Sequence, residues 1–192
     1  KAPADLDSLP FAAYGRESFY FVDSNRMHSN DAILVDQSLS SLWIQTSRGC
    51  PYVCSFCVNA LLVPMNREND LGPIVRRKSV STVIREIKEF VDTPGNEIKF
   101  IYFIDEVFAV KKEWLNEFET RFPAEIGLPF AVEYNPQQLN PHLLDKLVNA
   151  GLKSINFGIQ AGSDYLRNSI FTRPGKNKDL FKIAGMLKDR NV

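Results

Sequence analysis

The stretch IKFIYFI, residues 98–104, is an almost unbroken apolar run rich in β-branched and aromatic side chains. Such a run is typical of a parallel strand that is covered on both faces. Working outward, apolar residues recur at helical spacing over 80–90 before the run and over 114–122 after it. A strand between two amphipathic helices predicts right-handed βαβ crossovers in a parallel sheet.

The same alternation of strands and helices covers most of the chain. Further strands are predicted at 42–44, 128–134 and 154–159, and further helices at 143–148 and 180–187. The sequence therefore predicts an α/β fold, a partial (β/α) barrel of about four βα units, in which a fifth strand would be due at Val192.

Capping residues support the predicted helix boundaries. Ser79 or Ser81 is placed to cap the helix predicted over 80–90, and Asn140 is placed to cap the helix that starts at Pro141. Pro94-Gly95 and Gly151 are placed to end helices.

The first 40 residues differ from the rest of the chain, with weak periodicity and several turn formers. We expect residues 1–40 to be a linker or an N-terminal extension packed on a core domain at 41–192. The chain does not begin with Met and shows no signal peptide, which predicts a piece of a longer protein.

Charge and composition exclude some classes of protein. Lys and Arg number 23 and Asp and Glu number 23, so no broad basic surface for nucleic acid or an anionic membrane is predicted. The short basic triplet Arg76-Arg77-Lys78 is expected to be a solvated loop. No apolar run approaches the ~20 residues that span a bilayer.

Closely spaced cysteines in odd number predict a reducing, cytoplasmic location.

Polar residues follow all four predicted strands. They are the cysteines after the first strand, Asp105-Glu106 after the second, Glu133 and Asn135 at the third, and Gln160-Ala161-Gly162-Ser163 after the fourth. Ligand sites of parallel α/β sheets lie at the carboxyl ends of the strands. We therefore expect these groups to converge on one face.

The segment RGCPYVCSFC (48–57) contains all three cysteines of the chain. A tetrahedral zinc site would need His28 or His142 as a fourth ligand. Three thiolates on a four-iron cluster would leave one iron open to an outside ligand. An electron-transfer iron–sulfur protein, a zinc-stabilised binding module and three unliganded cysteines remain alternatives.

The C-x3-C-x2-C spacing directly after the first strand of a βα series resembles the radical S-adenosylmethionine (SAM) superfamily. Phe56, the aromatic residue before the last cysteine, belongs to the same pattern. The resemblance implies that Cys50, Cys54 and Cys57 ligate three irons of a [4Fe-4S] cluster. It also implies that the amino and carboxylate groups of SAM chelate the fourth iron.

Two further segments are similar to the family. FIDEVF (103–108) looks like the segment that meets the SAM amino group, which implies that role for Asp105 and Glu106. NFGIQAGS (156–163) resembles the segment that contacts the ribose and methionine of SAM. There Gln160 and Ala161 stand where many relatives have Glu and Ser, so Gln160 offers hydrogen bonds without charge.

Two further residues are expected near SAM. Ser163 is predicted to assist SAM binding or to cap a helix, and Arg173 to lie near the SAM carboxylate or in a solvated loop.

The function implied by the resemblance is reductive cleavage of SAM to a 5′-deoxyadenosyl radical that abstracts hydrogen from a substrate. A reducing partner such as flavodoxin or ferredoxin is implied as well. LDSLPF (6–11) resembles the linker of a subgroup that has a cobalamin-binding domain. The reactions of that subgroup include methyl transfer and rearrangement. As an alternative, GIQAGS (158–163) is similar to the corresponding segment of the tRNA methylthiotransferase branch. The substrate and the catalytic residues are not predicted.

The resemblance also predicts a truncated core, because a complete core has about six βα units. The open edge left beside the fourth strand is expected to promote self-association.

Overall fold

The computed structural model describes residues 3–12, 20–29, 40–93, 97–108 and 111–192. Its strands are β1 (Tyr20–Asp23), β2 (Arg26–Ser29), β3 (Ser41–Ile44), β4 (Ser47–Arg48), β5 (Arg76–Arg77), β6 (Phe100–Phe103), β7 (Phe130–Glu133) and β8 (Leu152–Asn156). Its helices are α1 (Asn59–Glu68), α2 (Val80–Val91), α3 (Lys112–Glu125), α4 (Pro141–Asn149) and α5 (Asn177–Lys188). A 3-10 turn at Pro136–Gln138 and a π-helical turn at Leu166–Ile170 complete the described elements.

The central sheet has the order β3-β6-β7-β8, and each neighbouring pair is parallel. Helices α2, α3 and α4 connect successive strands of this sheet. The predicted α/β fold with a parallel sheet of four βα units is confirmed.

Alternate residues of the strands pack beneath the helices. Ile101 and Phe103 of β6 are completely buried, and Phe103 packs on Phe118 of α3 with ring centroids 5.8 Å apart. The other face of the sheet is more open, because Tyr102 is half-buried and Trp43 of β3 is 57% exposed. The expectation that the strand at 98–104 is covered on both faces was wrong, since the described helices cover only one face of the sheet.

The helix caps agree with the sequence. The Ser79 hydroxyl accepts a hydrogen bond from the Thr82 amide, and the Asn140 side chain accepts one from the Leu143 amide. Gly151 follows α4 with φ of +110°, a conformation that favours glycine. Pro94-Gly95, predicted to stop α2, lies outside the described residues.

Several elements differ from the sequence prediction. Strand β8 ends at Asn156 instead of 159, because the chain turns away and Gln160 has φ of +68°. Helix α1 was missed, since it contains Pro64 and buries only Val63, which leaves no apolar stripe to recognise.

The N-terminal segment contacts the core where it is described. Leu6 is buried, and the Asp7 carboxylate accepts a hydrogen bond from the Ser79 amide at 2.8 Å. An antiparallel hairpin of β1 and β2 was not predicted. No helix in the described ranges has both the length and the apolar character that crossing a bilayer requires.

The basic triplet is not the solvated loop predicted from sequence. Arg76 donates to the Pro3 carbonyl, Arg77 lies over the Trp114 ring, and Lys78 pairs with Glu86. Arg76 and Arg77 also form β5, which pairs with β4 just before the cysteines. The triplet therefore joins parts of the fold instead of forming a binding surface.

Gly185→Ala should stabilise the protein. Gly185 lies inside α5, is exposed, and has no atom within 4 Å of the position that a Cβ would take. Alanine in a helix interior is favoured over glycine by roughly 0.5–1 kcal/mol. Urea unfolding should show a gain of this size, and a loss of stability would contradict the open environment at this position.

Candidate metal and cofactor site

All three cysteines line one cavity of about 140 Å³ at the carboxyl ends of the strands. Phe56, Glu106, Asn135 and Arg173 lie on the same wall. The loops after β4, β6 and β7 contribute these side chains, as does a segment after β8. The convergence predicted from the strand ends is therefore present for part of the predicted set.

The thiols are largely withdrawn from solvent. Cys50 and Cys54 are 9% and 5% exposed, and Cys57 is partly exposed. Burial raises the pKa of the Cys50 thiol, and nearby Cys54 and Glu106 raise it further, whereas a backbone hydrogen bond from Tyr52 lowers it. A cationic partner in the cavity would reverse this preference and favour the thiolate.

No group of three or more His, Cys, Asp or Glu side chains in the described ranges is arranged to hold a single metal ion. The three thiols instead stand around the wall of a cavity. His142 lies at the start of α4 and borders a different cavity, and the side chain of His28 is outside the described set.

A distant segment holds the cysteine loop in place. The Ser55 hydroxyl donates to the Ile170 carbonyl at 2.6 Å, and the Ser55 amide donates to the Phe171 carbonyl at 3.1 Å. The Thr172 hydroxyl donates to the Val53 carbonyl, also at 3.1 Å. Arg173 follows directly, so the same contact brings its side chain to the cavity wall.

Phe56 lies within this contact. Its ring meets Phe171 edge to face, with centroids 5.4 Å apart, and it also lines the cavity. The aromatic residue before the last cysteine therefore links the loop to the segment that carries Arg173.

The two predicted acids occupy different environments. Glu106 lines the cavity, whereas Asp105 is completely buried and does not line it. The Asp105 carboxylate accepts hydrogen bonds from the Thr46 amide, the Thr46 hydroxyl and the Ser47 hydroxyl. Burial raises the pKa of Asp105, and the Ser47 hydrogen bond and the Arg77 charge oppose that shift. Only Glu106 presents its side chain at the cavity.

Other predicted residues lie away from the cavity. Gln160 is exposed, and the Ser163 hydroxyl accepts a hydrogen bond from the Leu166 amide at 3.3 Å, as a helix cap does. Glu133 accepts a hydrogen bond from the Tyr102 hydroxyl at 2.6 Å on the open sheet face. The roles of Gln160 and Ser163 in SAM binding stay predictions.

Sequence reasoning missed two tyrosines of the cavity wall, Tyr52 and Tyr134. Burial raises the pKa of both hydroxyls. Tyr52 lies inside the cysteine motif and Tyr134 directly after β7, so their positions near strand ends were the available signal.

Comparison with curated proteins finds methyltransferases. Cytidylyl-2-hydroxyethylphosphonate methyltransferase of Streptomyces wedmorensis is 25% identical over 175 residues, which are 88% of this chain and 30% of that protein. An uncharacterized methyltransferase of Pyrococcus horikoshii is 27% identical over 121 residues, 62% of this chain and 24% of its own length. The chain thus spans less than a third of the relatives that it matches.

Solved structures show the same fold. The radical S-adenosylmethionine methyltransferase TsrM from Kitasatospora setae, solved with tryptophan substrate and the SAM analog aza-SAM bound, superposes with a TM-score of 0.59 at 18% identity. That match covers 80% of this chain and 29% of TsrM. TsrM with cobalamin and a [4Fe-4S] cluster bound gives a TM-score of 0.58 over 78% of this chain and 27% of that one.

The family assignment follows from the sequence itself. The family model of the Radical SAM superfamily matches residues 44–192, from the end of β3 to the end of the chain. This range includes the cysteine loop, Arg173 and every described helix, together with β6, β7 and β8 of the central sheet. The chain belongs to the Radical SAM superfamily of enzymes.

Proposed function

We propose that this chain binds a [4Fe-4S] cluster through Cys50, Cys54 and Cys57 and binds SAM beside it, as the core of a radical SAM methyltransferase. The observation that carries the proposal is the shared cavity, whose lining includes three cysteines, one glutamate and one arginine. Family membership supports the same assignment.

The donor set suits an iron–sulfur cluster. Thiolate ligands select iron–sulfur clusters and zinc among the common metal centres. In a cluster each thiolate binds a different iron, so the ligands surround the cofactor and need not meet at one point. Three thiols around a cavity wall fit that requirement, and they leave one iron for an outside ligand.

The charged residues of the wall suit the two ionic groups of SAM. The Glu106 carboxylate would pair with the amino group, and the Arg173 guanidinium with the carboxylate. Their positions on one wall with the cysteines support this assignment. The bound cluster and SAM supply the reductive cleavage that characterises the superfamily.

The chain's aromatic residues would exclude water from that chemistry. Tyr52, Phe56 and Tyr134 line the cavity, and Tyr134 is almost fully buried. Phe56 is 47% exposed in the cofactor-free chain. A bound ligand that covered its ring would complete a water-poor site, in which the contacts of Glu106 and Arg173 would be stronger and a reactive intermediate would be protected.

Methyl transfer is the reaction that the relatives favour, since the curated matches are named as methyltransferases. Cobalamin enters the proposal through TsrM, whose structure includes it. Because the chain spans about 30% of these proteins, both proposals concern the whole protein. The names of the relatives refer to unlike substrates, a phosphonate in one and tryptophan in the other. We therefore propose no substrate for this chain. A flavodoxin or ferredoxin partner and self-association at the sheet edge stay predictions.

The test is anaerobic reconstitution with iron and sulfide, followed by reduction and EPR spectroscopy with and without SAM. We expect a [4Fe-4S]⁺ signal that SAM perturbs. A cluster indifferent to SAM would contradict the proposed SAM site and favour simple electron transfer. Zinc bound in place of iron and sulfide would favour a structural metal site.

Glu106→Gln tests the SAM contact separately from the cluster. The amide keeps the size of the side chain but removes the charge that would face the SAM amino group. Iron and sulfide content should stay at the wild-type level while SAM binds roughly tenfold or more weakly, the effect expected for a lost charged hydrogen bond. Unchanged SAM affinity would remove Glu106 from the site.

A further inference from the structure

A buried carboxylate lies directly behind the cavity wall. Asp105 has no exposed surface, and its Oδ2 accepts from the Thr46 amide at 3.1 Å while its Oδ1 accepts from the Thr46 hydroxyl at 2.9 Å. The Ser47 hydroxyl donates to the same Oδ1. Within the described residues, the donors to this carboxylate come from two consecutive residues of the segment that leads to the cysteines.

Arg77 approaches the same hydroxyl from the other side. Its Nη1 donates to Thr46 Oγ1 at 2.7 Å, and its Nη2 donates to the Val107 carbonyl at 3.1 Å. A hydroxyl has a single proton, so Thr46 must accept from Arg77 and donate to Asp105. The guanidinium is also fixed by the Trp114 ring, with 5.0 Å between its central carbon and the ring centroid.

These bonds connect the two halves of the cavity wall. Thr46 lies four residues before Cys50, and Arg77 pairs through its backbone with Ser47. Val107 lines the cavity together with Glu106, and Asp105 precedes them both. One relay, defined as Arg77–Thr46–Asp105, thus ties the cysteine segment to the segment that carries the acid.

We propose that the Arg77–Thr46–Asp105 relay is the positioning element of the site, fixing the cysteine loop against the Glu106–Val107 wall before any cofactor enters. None of the three residues is among those that line the cavity. Asp105 accordingly acts by holding the cysteine loop. We propose this role for it in place of the direct contact with SAM that the sequence predicted. The role in cofactor binding rests on the proposed function. The hydrogen bonds of the relay, in contrast, are already present in the cofactor-free chain.

Thiol labelling of the cofactor-free chain tests the relay, because all three cysteines of this 192-residue chain lie in the loop that it fixes. With a chromogenic disulfide reagent, wild type should show a fast phase from the partly exposed Cys57 and slow phases from Cys50 and Cys54. Thr46→Val removes the relay hydroxyl at nearly constant shape and should accelerate the slow phases about tenfold or more, as loss of charged hydrogen bonds predicts. Thr46→Ser keeps the hydroxyl and should label like wild type.

Asn140→Ala is the matched control for general destabilisation, since it removes the cap of α4 and Asn140 does not line the cysteine cavity. Rates are compared at temperatures equally far below each variant's melting temperature. Acceleration in Thr46→Val no greater than in Asn140→Ala would overturn the proposal, as would equal acceleration in Thr46→Ser. If Thr46→Val does not fold, Arg77→Lys decides. It keeps the charge but replaces the two nitrogens that bond Thr46 and Val107 by one, and it loses the planar contact with the Trp114 ring. Unchanged labelling would therefore overturn the relay.

Reconstituted protein separates this proposal from the proposed function. Thr46→Val should retain a cluster while SAM affinity falls roughly 10–100-fold, the usual cost of removing a supporting shell. Wild-type protein that takes up no cluster would contradict the proposed function, whereas the labelling result would still decide whether the relay fixes the loop.

Discussion

Cys54→Ala is expected to reduce the iron and labile sulfide of the reconstituted chain to background. Cys54 is 5% exposed and lines the cavity, and alanine fits its place without added bulk. Removing one of the three proposed thiolate ligands would leave two protein ligands for the proposed cluster, which already has an iron open to an outside ligand. Metal and sulfide analysis with the visible absorption spectrum measures the loss.

Ser55→Ala is the matched control beside that position. It removes the hydroxyl bond to Ile170 but leaves all three thiols in place. We expect this variant to retain its cluster. A full-occupancy cluster in Cys54→Ala would contradict the ligand assignment, and circular dichroism of both variants shows whether the fold is intact.

Gly49→Ala is expected to destabilise the fold by roughly 2–5 kcal/mol, combining left-handed backbone strain with overpacking. Gly49 has φ of +90°, and a Cβ there would lie 2.0 Å from the Ile74 carbonyl oxygen. The obstacle is backbone of the segment leading to β5, so it cannot rotate away like the end of a flexible side chain. Urea unfolding measures the loss.

Gly185→Ala is the natural comparison, because it adds the same methyl group where nothing stands within 4 Å. Opposite signs for the two substitutions are expected. If Gly49→Ala kept wild-type stability, the close approach of Gly49 to the Ile74 carbonyl would be wrong. A folded Gly49→Ala protein should still show a disturbed cysteine loop by faster thiol labelling.

The parallel sheet could be predicted because the spacing of apolar residues along the chain differs between its strands and its helices. The run at 98–104 and the helical spacing around it identified β6, α2 and α3 within a few residues. Elements without a strong apolar pattern were missed, as with α1 and the two-residue strands β4 and β5. Such short pairs depend on tertiary contacts that no local spacing reveals.

The site was predictable where residues adjoin a motif. The cysteines, Phe56, Glu106 and Arg173 were predicted near one another from the motif and its spacing, and they line one cavity. Their binding roles stay predictions. Asp105 was not distinguishable from Glu106, because adjacent acids in a loop can point in opposite directions. The partners that separate them, Thr46 and Arg77, meet only after the chain has folded.

The contact between Ser55 and Ile170 constrains the order in which the protein can form during synthesis. The two residues are 115 positions apart, so the cysteine loop lacks its support until the later segment has left the ribosome. At about 5–20 residues per second this delay is roughly 6–23 s. Through that interval the nascent chain presents three unsupported thiols to its surroundings. The support of the cysteine loop therefore forms only after the segment around Ile170 has been made, although the three thiols are made first.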